Sequence, residues 1–149
     1  MKSLNEMSIK FLSRSSNEAF ARAAVAAFAA QTDPTLEELN DIKTAVSEGV
    51  TNAIIHAYPD IMGVIWIRVR IFDENKVEIT IRDRGVGIED VELAREPMFT
   101  TGGEERSGMG FTIMENFMTN FRVYSKKGKG TTIKMVKHIS CKATGGGIH

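Results

Sequence analysis

The sequence is poor in several features that mark particular classes of protein. It holds one cysteine, Cys141, which cannot form an internal disulfide. Lys+Arg and Asp+Glu each total 19, so the net charge is zero, which argues against a protein that coats nucleic acid directly. No run approaches the roughly 20 apolar residues of a membrane span, and residues 1–11 lack a signal-peptide core. We therefore predict a cytoplasmic protein with no nucleic-acid or membrane partner.

The length bounds the domain organisation. A chain of 149 residues favours one domain, and a domain of that size buries about 70% of the surface that its unfolded chain exposes. We assign this domain to residues 1–140. The glycine-rich residues 141–149 are predicted to be a disordered tail.

The first half of the sequence predicts a strand and two helices. Alternating apolar residues from Met7 to Leu12 indicate the strand. Residues 18–31 are rich in alanine and favour a helix. Thr35, three residues before Glu38, has the capping-box pattern, and it opens a second helix that ends at Pro59.

The second half predicts two hairpins separated by a loop and a helix. Residues 63–73 and 75–83 alternate and contain many β-branched residues, as expected of an antiparallel hairpin. Residues 84–107 are charged and glycine-rich without a sustained period, which predicts a long functional loop, a lid. A helix over 109–118 and strands over 121–125 and 131–139 follow.

This order of elements predicts the fold class. Hairpins outnumber crossover connections, so we predict an α+β two-layer sandwich, with a mostly antiparallel mixed sheet and the helices on one face.

Two glycine motifs bracket the predicted lid. "DRGVG" at 83–87 ends a strand, and "SGMGF" at 107–111 opens a helix, whose N-terminal N–H groups favour phosphate. Gly108 and Gly110 leave room for phosphate oxygens at the backbone. Gly85 and Gly87 could equally serve only to make a tight turn. "DRGVG" lacks the third glycine of a Rossmann motif and no βαβ unit surrounds it, and "GKGT" at 128–131 is predicted to be a hairpin turn rather than a phosphate loop.

Polar residues at two further positions are candidates for ligand binding. Asp83 at a strand end could accept a hydrogen bond from an exocyclic amine such as that of adenine, or could cap local backbone N–H groups. Glu48 and Asn52 lie four residues apart in "SEGVTNAIIHAY" and therefore on one helix face, either as a joint ligand site or as a solvated polar stripe.

Taken together with "KGTTI" at 129–133, these motifs resemble the ATP-binding fold shared by gyrase, Hsp90, histidine kinases and MutL. The resemblance covers roughly residues 7–139. Within that superfamily, "SEGVTNAIIHAYP" and "ERSGMGFTIMENFM" are very similar to the anti-sigma factor serine kinases of spore-forming bacilli.

The resemblance implies a site for ATP or ADP with Mg²⁺. Asn52 would bind the metal ion, Asp83 would bind the adenine amine, and Thr131 would support Asp83 by a hydroxyl contact or through water. Glu48 would be the catalytic base that relieves a serine hydroxyl of its proton. Gly85 and Gly87 would shape the adenine side, and the phosphate side would be shaped by Gly108, Met109 and Gly110.

The resemblance also implies partners and activity. The chain would be a homodimer that inhibits sporulation sigma factor F and phosphorylates an anti-anti-sigma factor on serine. Alternatives are the related general stress anti-sigma kinase, an ATP-gated binding switch without catalysis, and a detached histidine-kinase domain.

The sequence also contains an arginine, two methionines and several histidines that could have a role. Arg22 is a candidate partner-docking residue, although Glu18 and Arg22 could be only an i,i+4 ion pair. Met114 and Met118 are predicted to be core residues. We assign no chemistry to the histidines.

Overall fold

The fold is a single antiparallel sheet with helices on one face. A computed structural model describes residues 2–88 and 110–140. The five strands have the order β1-β2-β3-β5-β4, and every pairing among them is antiparallel. The strands are β1 (Asn5–Leu12), β2 (Val64–Phe72), β3 (Lys76–Asp83), β4 (Asn120–Lys126) and β5 (Gly130–His138). The helices are α1 (Asn17–Ala29), α2 (Leu36–Asn52) and α3 (Gly110–Phe117).

Alternation of side chains gives the sheet an inner face and an outer face. The inner face is apolar and includes Ile67, which pairs with Ile81 across β2 and β3, and Met135 on β5. The outer face carries the intervening, mostly polar residues. The two hairpins have the predicted form: β2 and β3 turn at Asp73–Asn75, and β4 and β5 turn around Gly128. The α+β sandwich is therefore confirmed.

The helices cover the inner face because each carries an apolar stripe. α1 buries Ala21, Val25 and Ala29, small residues that allow close approach to α2. α2 buries Ile42 and Val46, among others. Met114 and Met118 are also buried, which confirms that they are core residues.

The capping box predicted at the start of α2 is present. Glu38 N donates to Thr35 Oγ1 at 3.0 Å, and Thr35 N donates to Glu38 Oε1 at 2.8 Å. Desolvation raises the pKa of Glu38, but hydrogen bonds from Thr35 and Ser140 outweigh it and hold the pKa below its usual value. Ser140 N donates to Glu38 Oε2 at 2.7 Å, so this carboxylate also ties the end of the described chain to α2.

Some helix boundaries differ from the predictions. α2 ends at Asn52 and continues as a π-helical turn, Ala53–Ala57, so the predicted helix up to Pro59 changes its winding after Asn52. α1 ends at Ala29 and is followed by a 3₁₀ turn, Ala30–Thr32. Within the described residues, no helix is both long and apolar enough to cross a membrane. Most of the predicted lid, residues 89–107, and the predicted tail, 141–149, lie outside the described residues.

Candidate functional site

α2 and β3 run side by side toward the same end of the molecule. A Cβ added at Gly49 would lie 2.5 Å from Ile81 Cδ1, so Gly49 lets α2 pack closely on β3. Further along both elements, Val86 N donates to Ala57 O at 3.0 Å. Asn52 lies between Gly49 and Ala57 on the helical side, and Asp83 lies between Ile81 and Val86 on the strand side. Asn52 and Asp83, the two predicted ligand-binding residues, therefore lie at corresponding positions along these neighbouring segments.

α3 runs antiparallel to α2 and brings its N-terminus to this end. Lys137 Nζ links the C-terminal end of α3 to the first half of α2. It donates to Phe117 O of α3 at 2.7 Å and to Asp41 Oδ2 of α2 at 3.0 Å. Midway, Met114 Sδ lies 3.6 Å from the Cβ position of Gly49. Gly110, one turn before Met114, is therefore directed toward the Asn52 end of α2. The N-terminus of α3, with its partial positive charge, therefore lies at the end of the molecule toward which α2 and β3 run.

Asp83 is a buried carboxylate with one oxygen used by the fold. Oδ1 accepts from Gly85 N at 2.9 Å and from Thr131 N at 3.1 Å. In the described part of the chain, Oδ2 has no hydrogen-bond partner. Burial raises the pKa of the Asp83 carboxyl, and the two amide hydrogen bonds only partly offset that. Asp83 therefore caps backbone N–H groups through Oδ1, as one interpretation of the sequence predicted, while Oδ2 remains available as an acceptor.

Thr131 supports Asp83 through its backbone, whereas the expected direct contact was from its hydroxyl. Thr131 pairs with Asp83 across β3 and β5, and its hydroxyl lies 2.7 Å from Ser125 Oγ. Ser125 Oγ also accepts from Ile88 N at 2.7 Å and donates to Gly130 O at 3.1 Å. Ser125 therefore joins β4, β5 and the segment after "DRGVG". No local sequence pattern marks this role, because the bonds join residues distant in sequence.

The glycines of "DRGVG" are required by close backbone contacts. A Cβ at Gly85 would lie 2.1 Å from Ala57 O, and one at Gly87 would lie 2.1 Å from Lys126 O. Gly87 also has a φ of 78°, which disfavours other residues. Gly85 and Gly87 therefore lie in a bend that packs against the π-helical turn after α2 and against the β4–β5 turn.

Tyr58 fixes the position of the same loop and was missed by sequence reasoning. Its hydroxyl accepts from Arg84 N at 2.7 Å and donates to Val64 O at 2.7 Å. The ring leaves no space for a side chain at Gly63, where a Cβ would lie 2.2 Å from it. Tyr58 follows the π-helical turn, a rare form that often occurs at functional sites. A tyrosine followed by proline carries no signal of this bridging role.

Glu48 and Asn52 are both half-buried on α2. Their spacing places the two side chains on one face of the helix, one turn apart. Within the described residues the Asn52 side chain makes no hydrogen bond, so its carbonyl oxygen is available to a ligand.

Arg22 is held against α2 beside Glu48. Its guanidinium donates to Glu18 Oε2 at 2.8 Å and to Ser47 Oγ at 3.2 Å, and Ser47 Oγ also donates to Glu18 Oε2. The predicted i,i+4 ion pair is therefore present, and both of its members also hydrogen-bond to Ser47, the residue that precedes Glu48. Since 41% of the Arg22 side chain remains exposed, the cation is both oriented and accessible.

Two predicted phosphate-side residues, Gly108 and Met109, lie outside the described residues, as do Cys141 and His149. Among the residues that are described, no group of three or more His, Cys, Asp or Glu side chains is arranged to hold a metal ion. A metal ion at Asn52 would therefore depend on the ligand and water for its other bonds.

One family of known proteins matches most of the chain. The family described as "Histidine kinase-like ATPase domain" matches residues 12–137. The "Anti-sigma F factor" of Caldanaerobacter subterraneus subsp. tengcongensis is 60% identical over 136 residues, which cover 91% of this chain and 94% of that protein. The protein of the same name in Anoxybacillus flavithermus is 59% identical over 138 residues, with coverage of 91% and 94%. The chain belongs to the histidine kinase-like ATPase family, and within it to the anti-sigma F factors.

Two solved structures have the same fold. The RsbU and RsbW domains of Rv1364c from Mycobacterium tuberculosis match with a TM-score of 0.65 and 19% identity, over 91% of this chain and 32% of that one. The histidine kinase domain of a blue-light activated histidine kinase from Erythrobacter litoralis matches with a TM-score of 0.58 and 22% identity, over 85% and 63%. Membership of the histidine kinase-like ATPase family implies that the protein binds a nucleotide.

Proposed function

We propose that this protein is an anti-sigma factor that inhibits sporulation sigma factor F and, using Mg²⁺ and ATP, phosphorylates an anti-anti-sigma factor on serine. One observation carries the proposal: α2, β3 and α3, the elements that contain Asn52, Asp83 and Gly110, pack together around Gly49 in a chain that is 60% identical to a protein named Anti-sigma F factor.

Asp83 would recognise the adenine base through a hydrogen bond to its exocyclic amine. Its Oδ2 is available as an acceptor, and Oδ1 is fixed by the amides of Gly85 and Thr131, so the carboxylate is oriented before any ligand arrives. A charge-assisted hydrogen bond to an exocyclic amine contributes about 1.5–3 kcal/mol. The buried surroundings exclude the water that would compete for that bond.

The phosphates would lie between Asn52 and the start of α3. The Asn52 side-chain oxygen suits Mg²⁺, which takes few protein ligands and completes its shell with water and phosphate. The bound ion would neutralise the charge of the phosphate oxygens. Gly110, at the N-terminus of α3, would present backbone N–H groups to the same oxygens.

Glu48 would be the catalytic base. Phosphoryl transfer depends mainly on positioning and charge stabilisation, but the attacking hydroxyl must be oriented and must lose its proton. Glu48 lies one turn from Asn52, so a serine hydroxyl of the partner could donate to its carboxylate while facing the phosphates. Arg22, held one residue away through Ser47, would bind the partner near this point.

The proposed homodimer has a candidate surface at the β1 edge of the sheet. β1 is an edge strand, and nearby apolar side chains remain exposed: Leu4 by 66%, Phe20 by 51% and Leu12 by 45%. Exposed apolar patches rimmed by polar residues often mark protein interfaces. Sedimentation of the wild type and of a Phe20→Ser variant tests this, since a monomeric wild type would contradict the dimer.

Two measurements test the proposed function. Sigma factor F and the anti-anti-sigma factor are each mixed with the protein in ATP and then in ADP, and capture is compared. Labelled ATP is then incubated with the protein and the anti-anti-sigma factor. We expect nucleotide-dependent capture of the sigma factor and labelled phosphoserine on the anti-anti-sigma factor. Capture without phosphoserine would leave an ATP-gated binding switch, and absence of both would reject the anti-sigma function.

A further inference from the structure

The outer face of the sheet, opposite the helices, carries a cationic band across all five strands. The strand registers align one row of outer-face residues, namely Lys10, Trp66, Arg82, Thr132 and Tyr124. This row contains no carboxylate, and both of its cations are exposed. It lies at the Asp83 end of β3, where the candidate nucleotide site occupies the inner side.

A second row lies next to the first. It consists of Ser8, Arg68, Thr80, Lys134 and Arg122. Again no carboxylate is present, so adjacent positions on the sheet hold cations without an intervening negative charge. The band formed by these two rows contrasts with the zero net charge of the whole chain. Negative charge is therefore concentrated elsewhere on the protein.

The acidic residues of the outer face are confined to a third row, which lies next to the second row on the side away from Asp83. Glu78 is a buried carboxylate there, and it is paired with Arg70 at 2.5 Å and more distantly with Lys134 at 3.7 Å. In the described part of the chain, no carboxylate pairs with Lys10, Arg68 or Arg82. Most of the positive charge of the band is therefore not neutralised within the fold.

Two guanidinium groups of the outer face are ordered by stacking. Arg82 Cζ lies 5.6 Å and Arg84 Cζ lies 5.2 Å from the centroid of the Trp66 ring. Cation–π contact of this kind restrains a long side chain without using its N–H donors. Neither side chain makes a hydrogen bond within the described residues, so both retain donors suited to bidentate carboxylate recognition.

We propose that this cationic band is a docking surface for an acidic segment of a protein partner. Guanidinium groups that are already ordered lose little entropy when they bind a carboxylate. At the centre of the second row, the buried Thr80 hydroxyl makes no hydrogen bond within the described residues, which leaves one further polar group without a partner. The surface is on the opposite side of the sheet from Arg22 and Glu48.

A protein partner fits better than nucleic acid. Surfaces that bind single strands offer free aromatic faces on which bases stack. Here the Trp66 ring is covered by arginines, which leaves only Tyr124 exposed in the band. Five strands span about 19 Å, the length of an extended acidic segment of about six residues.

The test uses fluorescence anisotropy of a labelled oligoglutamate peptide of about eight residues, long enough to cross the sheet. The variant is Arg68→Glu with Arg122→Glu, both in the second row and away from the nucleotide site. The control is Lys2→Glu with Lys43→Glu, which changes net charge equally at two residues outside both rows of the band. If the charge reversal prevents folding, Arg68→Gln with Arg122→Gln replaces it.

We expect the wild type and the control to bind the peptide in a salt-dependent way, and the outer-face variant to bind at least about tenfold more weakly. ATP affinity should be unchanged in both variants, because neither changes a residue of the candidate nucleotide site. Equal weakening in variant and control, or no peptide binding at low ionic strength, would overturn the proposal. So would tighter binding of a single-stranded oligonucleotide of equal charge with the same dependence on Arg68 and Arg122.

Discussion

Asp83 Oδ1 accepts a hydrogen bond from the backbone amide of Thr131 at 3.1 Å, across the pairing of β3 with β5. This bond, with that from Gly85, occupies Oδ1 and leaves Oδ2 without a hydrogen-bond partner among the described residues. The geometry leads to the first prediction. Asp83→Asn should weaken ATP binding about thirtyfold, or about 2 kcal/mol, because the amide that replaces Oδ2 presents a donor to the adenine amine. Calorimetric titration measures this, with the exposed Asp73→Asn as control. Equal affinities of the variant and the wild type would rule out Asp83 as the adenine acceptor.

The pH dependence of ATP binding should report the same carboxyl. Because burial raises the pKa of Asp83, the group takes up a proton at a higher pH than an ordinary aspartate as the solution is acidified. ATP affinity should therefore begin to fall above the usual aspartate range. The ratio of wild-type to Asp83→Asn affinity at each pH isolates this residue, because the variant has no titratable group there. A ratio that is constant with pH would contradict the assignment.

The stability of the same variant should not fall along with its affinity. A folded pKa above the unfolded value means that the contribution of Asp83 to stability is present at low pH and is lost as pH rises through the folded pKa. At neutral pH the buried charge is a cost to folding. We therefore expect that Asp83→Asn does not lower the thermal midpoint at pH 7, as measured by circular dichroism. A large decrease would show that the loss of binding reflects misfolding.

Removal of the proposed base should separate catalysis from binding. Glu48→Ala should slow phosphorylation of the anti-anti-sigma factor by about 10²–10⁴-fold, the usual range for a lost general base, with ATP affinity nearly unchanged. Glu37→Ala, on the exposed first turn of α2, is the matched control. Persistent turnover in the Glu48 variant would assign that residue to structure alone.

The Mg²⁺ dependence of binding should be traceable to Asn52. Asn52→Ala removes the only side-chain oxygen proposed to bind the ion, so the difference between ATP affinities with and without Mg²⁺ should largely vanish. Asn40→Ala, exposed on the same helix, serves as control. A variant that keeps the full wild-type metal effect would show that the ion is held by other groups.

Some of the fold and site followed from local patterns in the sequence. Alternation placed the strands, the Thr35–Glu38 pattern placed the start of α2, and the glycine motifs marked the candidate site, because each of these signals depends on residues within one or two turns of each other. The spacing of Glu48 and Asn52 put them on one helix face for the same reason. Local periodicity could not show that the winding of α2 changes after Asn52.

Only the tertiary structure decided which oxygen of Asp83 is available, and that Ser125 and Tyr58 hold the surrounding segments together. It also gathered cations from separate strands into the outer-face band of a chain whose net charge is zero. These relationships join residues far apart along the chain, and they depend on strand register and on the packing of α2 against β3. Composition and periodicity describe each segment alone, so such contacts arise only when the segments pack together.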